Sequence, residues 1–218
     1  MTKLIIFDMD GLMFDTEPLY YKANQQTADK IGIPFDYSFY EKYIGASEKD
    51  FFSAMYDHFD ESKVDQFITD SVEDLKSVLF SAPPVLKKGL VDLLDFLKEN
   101  KYKTVVASSS EKKVVLELLE NAGLTHYFDG VIGGDEVSHS KPHPEIFEKA
   151  RQLIDGPISD ILVLEDSING IKAANAANFP VVMVPDLIKP DSHMKKMTLD
   201  ICHDLHEVLN KIKSEKLI

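Results

Sequence analysis

Carboxylate and hydroxyl side chains follow three short apolar segments of the sequence, at the point where each segment ends. Asp8 and Asp10 follow the first, a run of three serines beginning at Ser108 follows the second, and Glu165 with Asp166 follows a later one. Crowded carboxylates repel one another, so their joint ionisation requires a cation or a retained proton. Oxygen ligands without a nearby cysteine or histidine favour Mg²⁺, which keeps water and binds substrate phosphate. The pattern therefore predicts a magnesium site that binds phosphate.

A phosphate group at such a site also needs positive charge and hydrogen-bond donors. Lys141, which precedes a proline, can supply a point charge. Ser108 and Ser109 lead into a predicted helix whose first amide groups favour an anion. For Ser110 we expect instead the N-cap position, with Glu111 in the first turn. Each signal alone has a structural explanation as a turn, a helix cap or a solvated lysine. Together they favour phosphoryl transfer.

The elements that must position these residues are predicted from hydrophobic periodicity. Short apolar segments alternate with helical patterns, which is typical of a parallel sheet covered by helices on both faces. We therefore predict an α/β fold with a doubly wound, Rossmann-like parallel sheet. Its site is expected beyond the carboxyl ends of the strands. The predicted strands cover residues 4–7, 104–107, 161–164 and 181–184, with 130–133 as a weaker fifth.

The alternation of strands and helices fails over residues 16–83. Apolar residues there recur at steps of three or four, including Val64, Phe67, Val72 and Leu79, which predicts one face of a long helix. We predict a helical cap domain over residues 16–83, inserted into an α/β core formed by residues 1–15 and 84–218.

Composition narrows the classes of partner. The 218 residues contain 24 basic and 37 acidic side chains, a net charge of −13 that opposes binding to nucleic acid or anionic lipid. One cysteine, Cys202, no signal-peptide pattern and no apolar run of about 20 residues predict a cytoplasmic protein that is not membrane-bound. His139 and His143 straddle a proline, and we do not expect a histidine metal site. We expect a monomer acting on a small phosphorylated metabolite.

Four motifs in order resemble those of the haloacid dehalogenase-like hydrolases. They are Asp8-Met9-Asp10-Gly11, the hydroxyl of Ser108, Lys141-Pro142 and Glu165-Asp166. The helical insertion resembles that of the subgroup of small phosphatases and β-phosphoglucomutase-like enzymes. The resemblance covers nearly the whole chain. A lone Asp-x-Asp is common, whereas four ordered motifs at strand ends are specific.

The resemblance implies a role for each acidic residue. Asp8 would attack phosphorus to form an aspartyl-phosphate, and Asp10 would protonate the leaving oxygen and then activate water. Mg²⁺ would be held by the Asp8 carboxylate, the main-chain oxygen of Asp10, and the acidic pair Glu165 and Asp166.

The resemblance also implies which residues bind substrate. Ser108 and Lys141 would bind the transferring phosphoryl group, and Ser109 would donate from its backbone. The cap would act as a lid that selects the leaving group, with Ser47 in a substrate loop and Lys76 on the long cap helix. For Lys76 a solvent-facing position is an equal alternative.

Two other functions stay open beside a phosphatase of sugar or nucleoside phosphates. A β-phosphoglucomutase-like mutase is disfavoured because Glu48 stands where the mutases place an arginine, and Tyr20 where they have a histidine. A phosphate-accepting receiver module of signalling proteins also combines a doubly wound sheet with an acidic Mg²⁺ pocket. Receiver modules are about half this length and have no lid, which favours the enzyme.

Overall fold

The chain forms two compact units in the computed structural model, which describes residues 2–44 and 48–218. One unit consists of Met1–Phe14 and Val85–Ile218, and the other of Asp15–Pro84. The domain boundaries predicted from the sequence differ from these by one residue.

The larger unit contains a parallel sheet of six strands, in the order β3-β2-β1-β4-β5-β6. The predicted α/β fold with a doubly wound parallel sheet is confirmed. The last strand was not predicted because it has only two residues and no apolar run. The strands are β1 (Thr2–Phe7), β2 (Lys103–Ala107), β3 (Gly130–Ile132), β4 (Ile158–Glu165), β5 (Val181–Met183) and β6 (Asp200–Ile201).

Among the described residues, helices α1 to α4 belong to the smaller unit and α5 to α10 to the larger. None of these helices combines the length and the apolar character needed to cross a membrane. In chain order they are α1 (Glu17–Ile31), α2 (Tyr37–Tyr40), α3 (Glu48–His58), α4 (Glu61–Leu79), α5 (Leu90–Glu99), α6 (Lys112–Asn121), α7 (Glu145–Gln152), α8 (Ile168–Ala176), α9 (Met194–Met197) and α10 (Leu205–Lys213).

The central strand β1 is buried on both faces, which explains its continuous apolar sequence. Leu4 and Ile6 pack in one core cluster with residues from α7 and α8, including Phe147 and Ile171. Strands covered on both sides gain stability from every side chain, so alternation between apolar and polar residues is absent.

The smaller unit is held together by an aromatic core in which Phe35, Phe39, Tyr40 and Phe67 are buried. Helix α1 packs against α4. The apolar face predicted for α4 is wider than the face that is buried, because Val72 is 52% exposed. Its β-branched side chain lies at the edge of the predicted face.

Candidate active site

The register of the sheet brings three strand ends level with one another. Phe7 of β1 pairs with Leu164 of β4 on one side and with Val106 of β2 on the other. The next residues along the chain therefore meet at the carboxyl edge of the sheet. Asp8 continues this pairing, because its backbone N–H donates to the carbonyl of Leu164 at 3.0 Å. Its side chain is 9% exposed.

The chain makes a tight turn after β1. The N–H of Met13 donates to the carbonyl of Met9 at 2.8 Å, and Gly11 has a positive φ of 77°. A Cβ at Gly11 would lie 2.4 Å from Oδ2 of Asp166. Glycine is therefore required both by the backbone conformation and by the close approach of a carboxylate.

Lys141 contacts several groups of the site, and its side chain is 5% exposed. Its ammonium group donates to Oδ1 of Asp8 at 2.5 Å, to Oε1 of Glu165 at 2.7 Å and to the carbonyl of Ala107 at 3.2 Å. The Nζ atom also lies 5.0 Å from the centre of the Phe147 ring. A buried ammonium is tolerated because its donors are satisfied and its charge is paired.

Glu165 ends β4 and is completely buried. Besides Lys141, it accepts hydrogen bonds at Oε2 from the N–H and hydroxyl of Ser167, at 2.8 and 2.9 Å. Ser167 is also the N-cap of α8, since its Oγ accepts from the N–H of Gly170 at 3.1 Å. These contacts hold Glu165 in one orientation beside Asp166.

The serines after β2 hold the side chain of Asp10. The Oγ atoms of Ser108 and Ser110 donate to Oδ2 of Asp10 at 3.3 and 2.9 Å. The predicted N-cap role of Ser110 is wrong, because α6 begins at Lys112 and Glu111 holds the cap position. The Ser110 hydroxyl donates to a carboxylate in the loop after β1 instead of capping the helix.

Burial, together with an excess of carboxyl groups over ammonium groups, shifts the pKa values of the site. Burial raises the pKa of Asp8 to about 8, against the attraction of Lys141 and with added repulsion from Glu165. Burial and the charges of Glu165 and Asp8 hold the pKa of Asp166 well above its ordinary value. Burial disfavours the charged form of Lys141, but Asp8 and Glu165 outweigh it and raise its pKa. Full ionisation of the carboxyl groups therefore calls for further positive charge.

The donor atoms fit a magnesium ion. Asp8, Glu165 and Asp166 each offer a carboxylate oxygen, and these ligand atoms all lie within 4.8 Å of one another. An all-oxygen set with several negative charges is the set that Mg²⁺ prefers. The sequence predicted that these residues lie together, because each lies at the end of a predicted parallel strand or directly after it.

A second cluster brings together His139, His143 and Glu145, whose ligand atoms also lie within 4.8 Å of one another. The carboxylate of Glu145 already accepts hydrogen bonds from the N–H groups of Ser138 and His139 and from Lys149. The Ser138 N–H and the Lys149 ammonium lower the pKa of Glu145 to about 2. Loop hydrogen bonding accounts for this cluster, and we assign no metal to it.

Three further predicted site residues remain, which are Ser109, Lys76 and Ser47. Ser109 is exposed, and Lys76 is exposed on α4 of the smaller unit. Ser47 lies outside the described residues. Cys202 is buried, and burial raises the pKa of its thiol to about 11.

Asp186 was not predicted as a site residue, although it follows the predicted strand 181–184 by two residues. Its buried Oδ2 atom lies 3.2 Å from the position that a Cβ of Gly11 would take, close to Asp166. The other acidic residues were predicted because a polar side chain follows a buried strand. The same rule could have identified Asp186.

The fold and this arrangement define a hydrolase of known type. The family model of the haloacid dehalogenase-like hydrolases matches residues 2–178. The chain therefore belongs to this family, and both the predicted family and the predicted enzyme class are confirmed.

Among its relatives are phosphatases of small phosphorylated compounds. The phosphorylated carbohydrates phosphatase of Thermotoga maritima is 30% identical over 173 residues, which cover 79% of this chain and 80% of that protein. The fructose-1-phosphate phosphatase YqaB of Escherichia coli is 30% identical over 184 residues, which cover 83% of this chain and 95% of that protein. The crystal structure of a β-phosphoglucomutase from Clostridium difficile has a TM-score of 0.81 and 25% identity, and the match covers 100% of this chain and 97% of that one.

Proposed function

We propose that this enzyme is a Mg²⁺-dependent phosphatase that hydrolyses a small phosphomonoester, such as a sugar or nucleoside phosphate. The observation that carries the proposal is the buried cluster in which Lys141 contacts Asp8 and Glu165, with the ligand atoms of Asp8, Glu165 and Asp166 within 4.8 Å of one another. The phosphatase names of the relatives support the substrate class.

Asp8 is the proposed nucleophile because its buried carboxylate lies at the sheet edge beside the only described lysine that reaches it. Its oxygen attacks phosphorus, and the bond between phosphorus and the ester oxygen breaks. Asp10 gives its proton to the departing oxygen, so the first product leaves as an alcohol. This step leaves an aspartyl-phosphate on Asp8.

The second step restores the enzyme. Asp10 takes a proton from water, the water oxygen attacks phosphorus, and inorganic phosphate leaves with the Asp8 carboxylate regenerated. The hydroxyls of Ser108 and Ser110 orient the Asp10 side chain for both transfers. Lys141 provides a fixed positive charge near the reacting group, where preorganised charge is most effective.

The carboxylates of Asp8 and Asp166, with the main-chain oxygen of Asp10, would hold the magnesium ion. Glu165, oriented by Lys141 and Ser167, would complete the acidic set. When bound, Mg²⁺ neutralises charge on the phosphate and reduces its repulsion by the carboxylates. Ser108 and Ser109 are proposed to bind the phosphoryl group.

The decisive experiment measures phosphate release from a panel of phosphomonoesters in the presence of Mg²⁺. We expect turnover by the wild type and loss of at least about a thousandfold in kcat for Asp8→Asn, since removal of a nucleophile leaves only binding and charge effects. Asp160→Asn, at an exposed position near the start of β4, is the matched control and should keep full activity. Unchanged turnover in Asp8→Asn would exclude the nucleophile.

The mutase alternative predicts a different product from the same assay. A mutase would convert a hexose 1-phosphate to its 6-phosphate with a bisphosphate activator and release little inorganic phosphate. The phosphatase names of the relatives favour phosphate release. A receiver-type module would instead give a persistent stoichiometric phosphoprotein. A role for Ser47 and Lys76 in substrate binding, a monomeric state and a cytoplasmic location stay predictions from the sequence.

A further inference from the structure

Asp186 follows β5 and carries a buried carboxylate at the same edge of the sheet as the proposed active site. Its side chain is 8% exposed. Oδ1 accepts a hydrogen bond from Nζ of Lys87 at 2.6 Å. Oδ2 is buried and has no hydrogen-bond partner among the described residues. Such an atom carries a desolvation penalty, so its position calls for a specific explanation.

The unpartnered Oδ2 lies close to Asp166, a member of the acidic cluster. A Cβ built on Gly11 would lie 2.4 Å from Oδ2 of Asp166 and 3.2 Å from Oδ2 of Asp186, so both oxygens converge on the same point. The charge of Asp186 is also among those that raise the pKa of Asp166. Two converging carboxylate oxygens are unfavourable unless a cation or a hydrogen-bond donor lies near them.

A purely structural role of Asp186 explains only half of this geometry. The N–H of Lys87 donates to the carbonyl of Met13 at 2.9 Å, so the ion pair with Asp186 fixes the chain beside the loop that follows β1. That ion pair uses Oδ1 and gives no reason for burying Oδ2 without a partner.

We propose that Asp186 is a further residue of the magnesium site, where Oδ2 accepts hydrogen bonds from the hydration shell of the cation. The inference rests on the proposed function, which supplies the magnesium site. Mg²⁺ gives up its water reluctantly and usually keeps several molecules, so a site needs acceptors for them. Carboxylates in this position orient the site and commonly strengthen metal binding about 10–100-fold.

Isothermal titration with MgCl₂ alone, on the full chain without substrate, tests the inference. Asp186→Asn removes the charge and the Lys87 ion pair together, and we expect the Kd for Mg²⁺ to rise about 10–100-fold. Lys87→Met removes the same ion pair but keeps the carboxylate and takes away a nearby positive charge. For Lys87→Met we therefore expect an unchanged or lower Kd.

The different changes expected in the Kd for Mg²⁺ distinguish a role of Asp186 in metal binding from a purely structural role. An equal weakening of Mg²⁺ binding by Asp186→Asn and Lys87→Met would overturn the inference, and so would an unchanged Kd in Asp186→Asn. Asp200→Asn, which removes a comparable ion pair with Lys211 at 2.8 Å, is the control and should bind as the wild type does. If Asp186→Asn does not fold, the double variant with Lys87→Met leaves no unpaired charge and is expected to show the same weakening.

The titration also distinguishes this inference from the proposed function. A wild-type protein that takes up no Mg²⁺ would overturn both. A wild-type protein that binds Mg²⁺ while Asp186→Asn binds it equally well would overturn only the role of Asp186.

Discussion

Replacing Gly170 by alanine would test how tightly Glu165 is held against α8. A Cβ at position 170 would lie 1.6 Å from Oε1 and 1.9 Å from Cδ of Glu165. Helix propensity by itself predicts that alanine stabilises α8 by about 1 kcal/mol. The contact predicts the opposite, because an overlap of this size forces the buried carboxylate into another position.

The magnitude follows from the hydrogen bonds that Glu165 would give up. Its carboxylate accepts from Lys141 at 2.7 Å and from the N–H and hydroxyl of Ser167 at 2.8 and 2.9 Å. Two lost hydrogen bonds to a charged group, at about 1.5–3 kcal/mol each, outweigh the gain in propensity, so we expect a net loss of roughly 2–5 kcal/mol. In a chain of this length the loss corresponds to a fall in Tm of at least about 4 °C.

Thermal unfolding followed by circular dichroism in EDTA measures this effect without a contribution from metal. The matched control compares Glu165→Ala with the double variant Glu165→Ala/Gly170→Ala, in which the clashing atoms are gone. In that background we expect alanine at position 170 to be neutral or to raise the Tm. The reasoning is refuted if Gly170→Ala alone unfolds at or above the wild-type temperature, or if its cost persists without the Glu165 side chain.

In the smaller unit, Asp74 accepts hydrogen bonds from Lys30 and from buried Thr27, and the bond from Lys30 lowers the pKa of Asp74. Its contribution, about 1 kcal/mol or less, is therefore present above the unfolded pKa and disappears as the pH falls through the lowered folded value. In urea unfolding, Asp74→Asn should be less stable than the wild type at pH 7 and equal to it in acid; a gap that widens in acid contradicts this. Ser110→Ala should lower kcat about tenfold and the free energy of unfolding by no more than about 3 kcal/mol, since it removes a 2.9 Å hydrogen bond to Asp10. A loss of stability with an unchanged kcat would contradict this prediction and favour the helix N-cap role for Ser110.

Much of the site follows from the sequence because parallel strands end at one edge of a sheet. Once residues 4–7, 104–107 and 161–164 are identified as buried strands, Asp8, Ser108 and Glu165 must lie at neighbouring strand ends. That inference needs only local periodicity and the topology of doubly wound sheets.

Contacts between distant segments do not follow in the same way. The sequence pattern predicts a helix N-cap at Ser110, and only the approach of Asp10 from the loop after β1 gives its hydroxyl a different partner. The two-residue strand β6 has no apolar pattern of its own and forms by pairing with β5. In both cases the local preference is weak and a contact made by the folded chain decides the outcome.

The amino-acid sequence by itself determined the first five strands, the inserted helical segment and the acidic residues Asp8, Glu165 and Asp166 at the strand ends, because each depends on short-range periodicity. Only the tertiary structure decided which oxygen each donor meets. The pairing of Lys141 with both Asp8 and Glu165, and the unpartnered Oδ2 of Asp186 beside Asp166, depend on distances of a few ångströms between segments far apart in the chain. No periodicity records such distances, since they arise when the strands and helices pack.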